Sequence, residues 1–358
     1  MKTTTKLNNI QLLRAFAAVA VVVFHTGFAF PSMRPFGSFG VDVFFVISGY
    51  IMARILDPAS DSSSDFFFRR RVLRIVPPYW FFTLLLFLAS LCIPQLMGST
   101  RADGFDLVRS LLFIPFTKGS GLIQPLLFIG WSLNYEMYFY LTLAIGLLIY
   151  KRYAVWIGSF LVIAVMLVSA HFAAQSVAAQ FYSREIVLEF ILGILSYYLC
   201  RAFPDHVARR IRWPSLIVCI AAALQLIAIQ GIFPPLRPHL PLERVLTLGI
   251  PSFLLVVSAS LLSQGKWDTK FASLVLIGDA SYILYLVHPY CEYSIGRTLG
   301  KYHDWLKLDS VWRALILVTV SILVAVLIHL YAEGPAVRFL NRNFGGKRKS
   351  VEFITPAA

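Results

Sequence analysis

Five ionisable side chains stand in or beside apolar runs of this 358-residue sequence: Arg14, His25, Asp42, Glu136 and His288. Imidazole and carboxyl groups brought together away from water can move protons near neutral pH, and an imidazole can also act as a nucleophile. Groups of this kind are expensive in such surroundings. A charge at the centre of a bilayer costs roughly 2.5–3.5 kcal/mol even on the most lenient scale, so each needs a reason. Arg14 and His25 are eleven residues apart. That is about three helical turns, which puts both on one face ~16 Å apart along the axis. His25, Asp42, Glu136 and His288 fall four or five residues from the same end of four different apolar runs, a common depth of ~6–8 Å. A polar layer at one depth is what a buried site requires. Each residue also has a structural reading: a histidine bonded to a neighbouring helix, Asp42 orienting a partner or capping a kink, Glu136 paired with an arginine. No HExxH or comparable ligand spacing occurs, so no metal is expected.

The elements that must carry these residues are membrane helices. Hydrophobic residues make up 58% of the chain and charged ones only 14%, against about 25% charged in soluble domains. A bilayer core needs about 20 apolar residues per helical span. Such runs recur at roughly 10–30, 38–56, 76–97, 131–150, 154–171, 184–200, 214–231, 245–263, 274–293 and 311–333. The sequence therefore predicts an all-α, polytopic integral membrane protein of about ten transmembrane helices. One membrane domain covers 7–340, and a basic tail follows at 341–358. The segment 105–129, broken by Pro115, Gly119, Gly121 and Pro125, fits an outer loop, an interfacial helix or a re-entrant segment. Lys2 and Lys6 before an apolar run imitate a signal peptide, but no cleavage site follows, and the run reads as an uncleaved first span.

The net charge of +14 is not a nucleic-acid signature, because the basic residues lie in the short connections. With ten spans, twenty of the 32 Lys and Arg residues fall on the side of the N-terminus, which places both termini in the cytoplasm. Four cysteines without CxxC spacing read as small packing residues. Arg69, Arg70, Arg71 and Arg74 crowd a connection expected to be a cytoplasmic loop, 66–80. Such a run suits topology and anionic lipid. It also suits a bidentate phosphate clamp, which Arg14 on the same side could join. In GVDVFFVISGY, 40–50, the glycines suit close helix packing, and Ser48 is a further candidate polar group. Neither a GxSxG elbow nor a P-loop is present.

These segments resemble the membrane acyltransferase-3 family. Arg14 and His25 match its Arg-x10-His signature, and GVDVFFVISGY, FFRRRVLRIVPPYW at 67–80, WSLNYEMYFY at 131–140, SYILYLVHPY at 281–290 and the Glu333–Pro335 ending are similar. The likeness covers about 7–340 and is greatest to exopolysaccharide O-acetyltransferases. It implies transfer of an acyl group, acetyl first, from cytoplasmic acyl-CoA to a hydroxyl of an extracytoplasmic polysaccharide or lipid-linked glycan, at a bacterial cytoplasmic membrane. It implies an essential His25; the catalytic carboxylates read beside it are Glu136 and Asp42, either of which could orient the imidazole and stabilise its charged form. Arg14, Arg69, Arg70 and Arg71 fall on the donor side, and His288, Tyr282 and Ser48 are further site candidates. Partners would be acyl-CoA, the glycan, membrane lipid and polysaccharide assembly machinery. Two rival classes are a transporter or flippase, which would place its charges at the midplane and often show repeated halves, and a non-catalytic partner of an export complex.

Overall fold

The computed structural model describes residues 7–29, 37–56, 64–93, 103–232, 242–301 and 310–344. Lys2, Lys6 and the basic Lys347, Arg348 and Lys349 lie outside the described residues. The chain is helical: α1 Asn8–Ala29, α2 Gly40–Leu56, α3 Ser64–Cys92, α4 Gly104–Leu111, α5 Gly130–Ile149, α6 Ala154–His171, α7 Val177–Tyr182, α8 Leu188–Ala202, α9 Asp205–Arg210, α10 Arg212–Ile232, α11 Ile250–Gln264, α12 Ala272–Asp279, α13 Ser281–Lys301, α14 Ser310–Ile328 and α15 Gly334–Phe344. Among the described residues the only β pairing is an isolated bridge between Thr117 and Ile123.

A helix occupies each of the ten segments expected to span. Seven of the described helices are long and apolar enough to cross a membrane, and an eighth span forms if α12 and α13, bent by 73° at their junction, count as one. The chain is thus a multi-pass membrane protein. The two expected spans that fall short are α2, of 17 residues, and α8, of 15. They are packed on each other rather than spread towards lipid. A Cβ on Gly49 would lie 2.0 Å from the Phe190 carbonyl oxygen, and one on Gly193 would lie 2.1 Å from that of Val46. Phe45 stacks on Phe190 with centroids 4.5 Å apart.

The helices form two compact units, one of residues 7–53 and 189–339, the other of 54–188 and 340–344. The axis of the first is α1, on which α11, α12, α13 and α14 pack. Its small residues Ala15, Ala17, Ala18 and Ala20 are buried and admit α2, whose Gly40 sits so close that a Cβ would meet the Ala17 oxygen at 2.3 Å. Ile10, Leu13, Phe39, Val46, Leu226, Leu248 and Val256 fill the core around this contact. Two helical turns in this unit are π-helical, Val245–Gly249 and His329–Glu333. Each ends two residues before a proline, Pro251 or Pro335. A proline offers no N–H to the turn before it, and its ring crowds that turn's carbonyl, so the ladder widens there.

In the second unit α3 and α5 run antiparallel. Gly130, at the start of α5, lies against the Tyr79 ring, and Tyr140 lies by Arg71, eight residues earlier on α3. The α5–α6 hairpin is tied by the Tyr138 hydroxyl, which donates to the Val162 carbonyl at 3.3 Å. The segment 104–129 folds back beside α3. Asp103 caps α4, Tyr79 donates to the Ser110 carbonyl at 3.2 Å, and the Trp80 indole donates to that of Leu111 at 2.9 Å. Tyr79 stands thirteen residues before Cys92, ~20 Å back along the helix. Ser110 also accepts the Leu126 amide at 2.9 Å, and Lys118 donates to the Leu126 carbonyl at 3.2 Å, so the returning chain satisfies its own polar groups, as an apolar setting demands.

The Gly49–Gly193 contact predicts that Gly49→Val lowers the detergent melting temperature by an amount equivalent to roughly 1–3 kcal/mol or more. Gly104, with nothing within 4 Å of its would-be Cβ, should accept alanine with little change. Thermal unfolding of the two purified variants against wild type checks both.

Candidate active site

The first unit brings His25 and His288 together. Both lie on helices that pack side by side, α1 and α13, and their ring centroids are 5.2 Å apart at an interplanar angle of 31°. His25 is half-buried, with the Phe24 ring edge-on to it at 5.1 Å. His288 is wholly buried. Its Nδ1 lies 3.1 Å from the Leu284 carbonyl oxygen. A carbonyl only accepts, so Nδ1 carries the proton and Nε2 the free lone pair. That Nε2 is shielded and has no hydrogen-bond partner among the described residues. Tyr285 flanks His288 at 5.9 Å and Phe44 flanks Tyr285 at 6.3 Å, giving the imidazoles an aromatic wall.

Arg14 is buried on α1, its Nη1 donating to Gln11 Oε1 at 3.2 Å. The unbroken helix from Asn8 to Ala29 keeps it on the His25 face, three turns away. Ser48 is buried within α2. Tyr282 is half-buried, six residues before His288, a spacing that puts it on another face of α13.

Asp42 is engaged elsewhere. Both its oxygens accept from Arg244, Oδ1 from Nε and Oδ2 from Nη2, each at 2.9 Å. Asp42 has no exposure, while the Arg244 side chain keeps 34%. Glu189, wholly buried at the head of α8, sits close to both, near enough for its carboxyl to interact with that of Asp42. Arg244 stands directly before the π-helical turn at Val245. Its fork geometry matches a carboxylate in two places at once, and it sits on the far side of a 202-residue separation. Sequence reading identified Asp42 but neither partner.

In the second unit Glu136 accepts a hydrogen bond from the Tyr140 hydroxyl. The Arg71 guanidinium lies over the Tyr140 ring, 5.8 Å from its centroid, and interacts with that hydroxyl and with Glu136. The four-residue spacing of Glu136 and Tyr140 is the helical i,i+4 pairing and was legible in advance. The arginine run was expected in a connecting loop. It lies within α3 rather than in a loop, with Arg71 buried and Arg69 exposed; the Arg70 side chain lies outside the described residues. Among the described residues no three His, Cys, Asp or Glu side chains gather where they could hold a metal ion.

Residues 7–330 match the acyltransferase-domain family. The chain belongs to the acyltransferase-3 family. Its relatives include the exopolysaccharide production protein ExoZ of Rhizobium meliloti, 31% identical over 71% of this chain and 76% of that one. The acyltransferase MdmB of Streptomyces mycarofaciens is 28% identical over 94% and 93% of the two chains. The peptidoglycan O-acetyltransferase OatA of Listeria monocytogenes is 25% identical over 98% of this chain and 60% of its own. No solved structure matches. The chain is accordingly a membrane O-acyltransferase, and the polar clusters of its helices are read as parts of an enzyme.

Removing one member of a buried ion pair strands the other charge, at a cost of roughly 3–5 kcal/mol. Arg244→Leu should therefore destabilise strongly. Asp42→Asn with Arg244→Leu should cost clearly less than the sum of the two single changes, as measured by unfolding of purified protein in detergent.

Proposed function

We propose that this acyltransferase moves an acyl group, acetyl first, from cytoplasmic acyl-CoA to a hydroxyl of an extracytoplasmic polysaccharide or lipid-linked glycan, in a bacterial cytoplasmic membrane with both chain termini inside. The observation that carries the reading is the His25–His288 pair, three turns along α1 from Arg14 and on the same face. A name such as exopolysaccharide production protein among the relatives supports a glycan acceptor, and the basic inner loops support the orientation.

In this reading the CoA phosphates dock on the inner side, at the Arg14 end of α1. The slender pantetheine arm runs along the Arg14–His25 face and carries the thioester to the imidazoles. His25 takes the proton of the attacking hydroxyl. The new C–O bond forms, the C–S bond breaks, and the proton passes to the departing thiolate to give free CoA. In a two-step variant His25 Nε2 or Nδ1 first accepts the acyl group and then yields it to the hydroxyl. His288, its ring 5.2 Å from that of His25, flanks the reacting imidazole. Asp42, locked to Arg244, is a carboxylate we retain as a contributor, through the placement of α2 rather than by direct contact with His25; Glu136, held by Tyr140 and Arg71, stays a candidate carboxylate of the second unit.

The test compares surface glycan from cells carrying wild type, a deletion and His25→Ala, each at verified membrane levels, by mass and proton spectra. A general base contributes about 10²–10⁴-fold, so the acyl mark should vanish in both the deletion and His25→Ala, and its mass names the acyl group. A mark retained by His25→Ala and absent from the deletion would overturn the mechanism. Arg14→Ala should raise KM for acyl-CoA more than it lowers kcat, since an ionic contact to the donor acts in ground and transition states alike; steady-state kinetics on purified protein decide this.

A further inference from the structure

One turn beyond His288 on α13 stands Glu292, a carboxyl that the mechanism above leaves unused. Residues four apart share a helix face, so Glu292 follows His288 on the side that carries the imidazole, displaced ~6 Å along the axis. In the proposed orientation that displacement is outward, towards the acceptor. Glu292 Oε1 is shielded from solvent and lacks a hydrogen-bond partner among the described residues. The same holds for His288 Nε2. A carboxylate that served only to mark the membrane surface would turn both oxygens to water. A carboxylate held for structure would be answered by a cation or a donor, as Asp42 is by Arg244. Among the described residues Glu292 shows neither pattern. Leaving a buried polar group unanswered is costly, and an unanswered ionisable group at membrane depth points to a ligand.

The two orphan atoms have the same chemistry. His288 Nε2 is an acceptor because Nδ1–H is given to the Leu284 carbonyl, and a carboxylate oxygen is an acceptor too. Two bare acceptors one turn apart on one helix, the first of them beside His25, fit a ligand that brings several donors within the width of a sugar ring. Polyhydroxylated glycans do so; a lone alcohol does not.

We propose that Glu292 is an acceptor-binding residue, which takes a hydrogen bond from a hydroxyl of the glycan other than the one acylated and so fixes which hydroxyl faces His25. This rests on the acyl-transfer reading above and adds the recognition element on the acceptor side.

The experiment uses the full chain with Glu292→Gln, which keeps shape but replaces the carboxylate, and Glu292→Asp, which keeps the charge. In cells lacking the native gene, the initial rate of labelled acetyl incorporation into surface glycan is measured for each. In parallel, coenzyme A binding is measured by calorimetry on the same proteins in lipid nanodiscs. A lost hydrogen bond to a charged group is worth about ten- to a hundredfold. Incorporation by Glu292→Gln should fall by that factor with CoA binding unchanged, and Glu292→Asp should recover part of it. Incorporation at the wild-type rate in Glu292→Gln would overturn the proposal. So would a joint loss of incorporation and CoA binding, which would make Glu292 a structural residue. If wild type itself neither labels glycan nor binds CoA, the acyl-transfer reading fails first and takes this inference with it.

Discussion

A polar group that leaves water inside this apolar protein must meet a partner, and the arrangement of the helices follows from where those partners are. The clearest instance is the pair of Asp42 and Arg244, whose two parallel hydrogen bonds of 2.9 Å join the head of α2 to the turn before α11. Neither charge is tolerable alone at that depth. Glu189 adds a second carboxyl to the same spot, so the heads of α2 and α8 and the turn before α11 meet at one polar cluster. The widened turn after Arg244 and Pro251 behind it set the direction in which the guanidinium reaches.

Between these polar anchors, close approach is what small residues provide. In lipid there is little hydrophobic drive for one helix to join another, so contact area decides. At Gly49 and Gly193 each helix presses a glycine into the other's backbone, and at Gly40 the second helix reaches the main chain of the first. These contacts bury most of α2 and one face of α8. Neither therefore needs the full length of a lipid-facing span, which accounts for their 17 and 15 residues.

Much of this was legible in the sequence, and what was not has physical causes. Helices at all ten apolar runs followed from hydropathy alone. So did the common depth of His25 and His288, because depth is a matter of residue count. The partner of Asp42 was not legible, since helical spacing reports neighbours three or four residues apart and Arg244 lies 202 away. The arginine run is helical where a loop was expected, with a geometric consequence. On a helix, residues two apart point about 200° from one another, so Arg71 turns inward to Tyr140 while Arg69 faces out; a loop would have allowed both to face one phosphate. Segment 104–129 offered three readings because its punctuation by Pro and Gly says that it bends, while only the bonds from Tyr79 and Trp80 say against what.

The histidine pair shows how a helix can assign different work to two identical side chains. His288 lies on the N-terminal side of Pro289, and the proline has no N–H for the Tyr285 carbonyl one turn back. The local helix is loosened there, yet the His288 ring is held by its bond to Leu284. That bond fixes the tautomer, and full burial separates the ring from bulk water. A group so confined orients others better than it exchanges protons. His25 has the complementary position: half-buried, on a straight helix, with an aromatic neighbour on one side and the fixed imidazole on another. Of the two, only His25 combines access with a preset partner, and it is at the end of the face that Arg14 begins. The chemistry assigned to His25 therefore follows from the asymmetry of two surroundings rather than from the residue type.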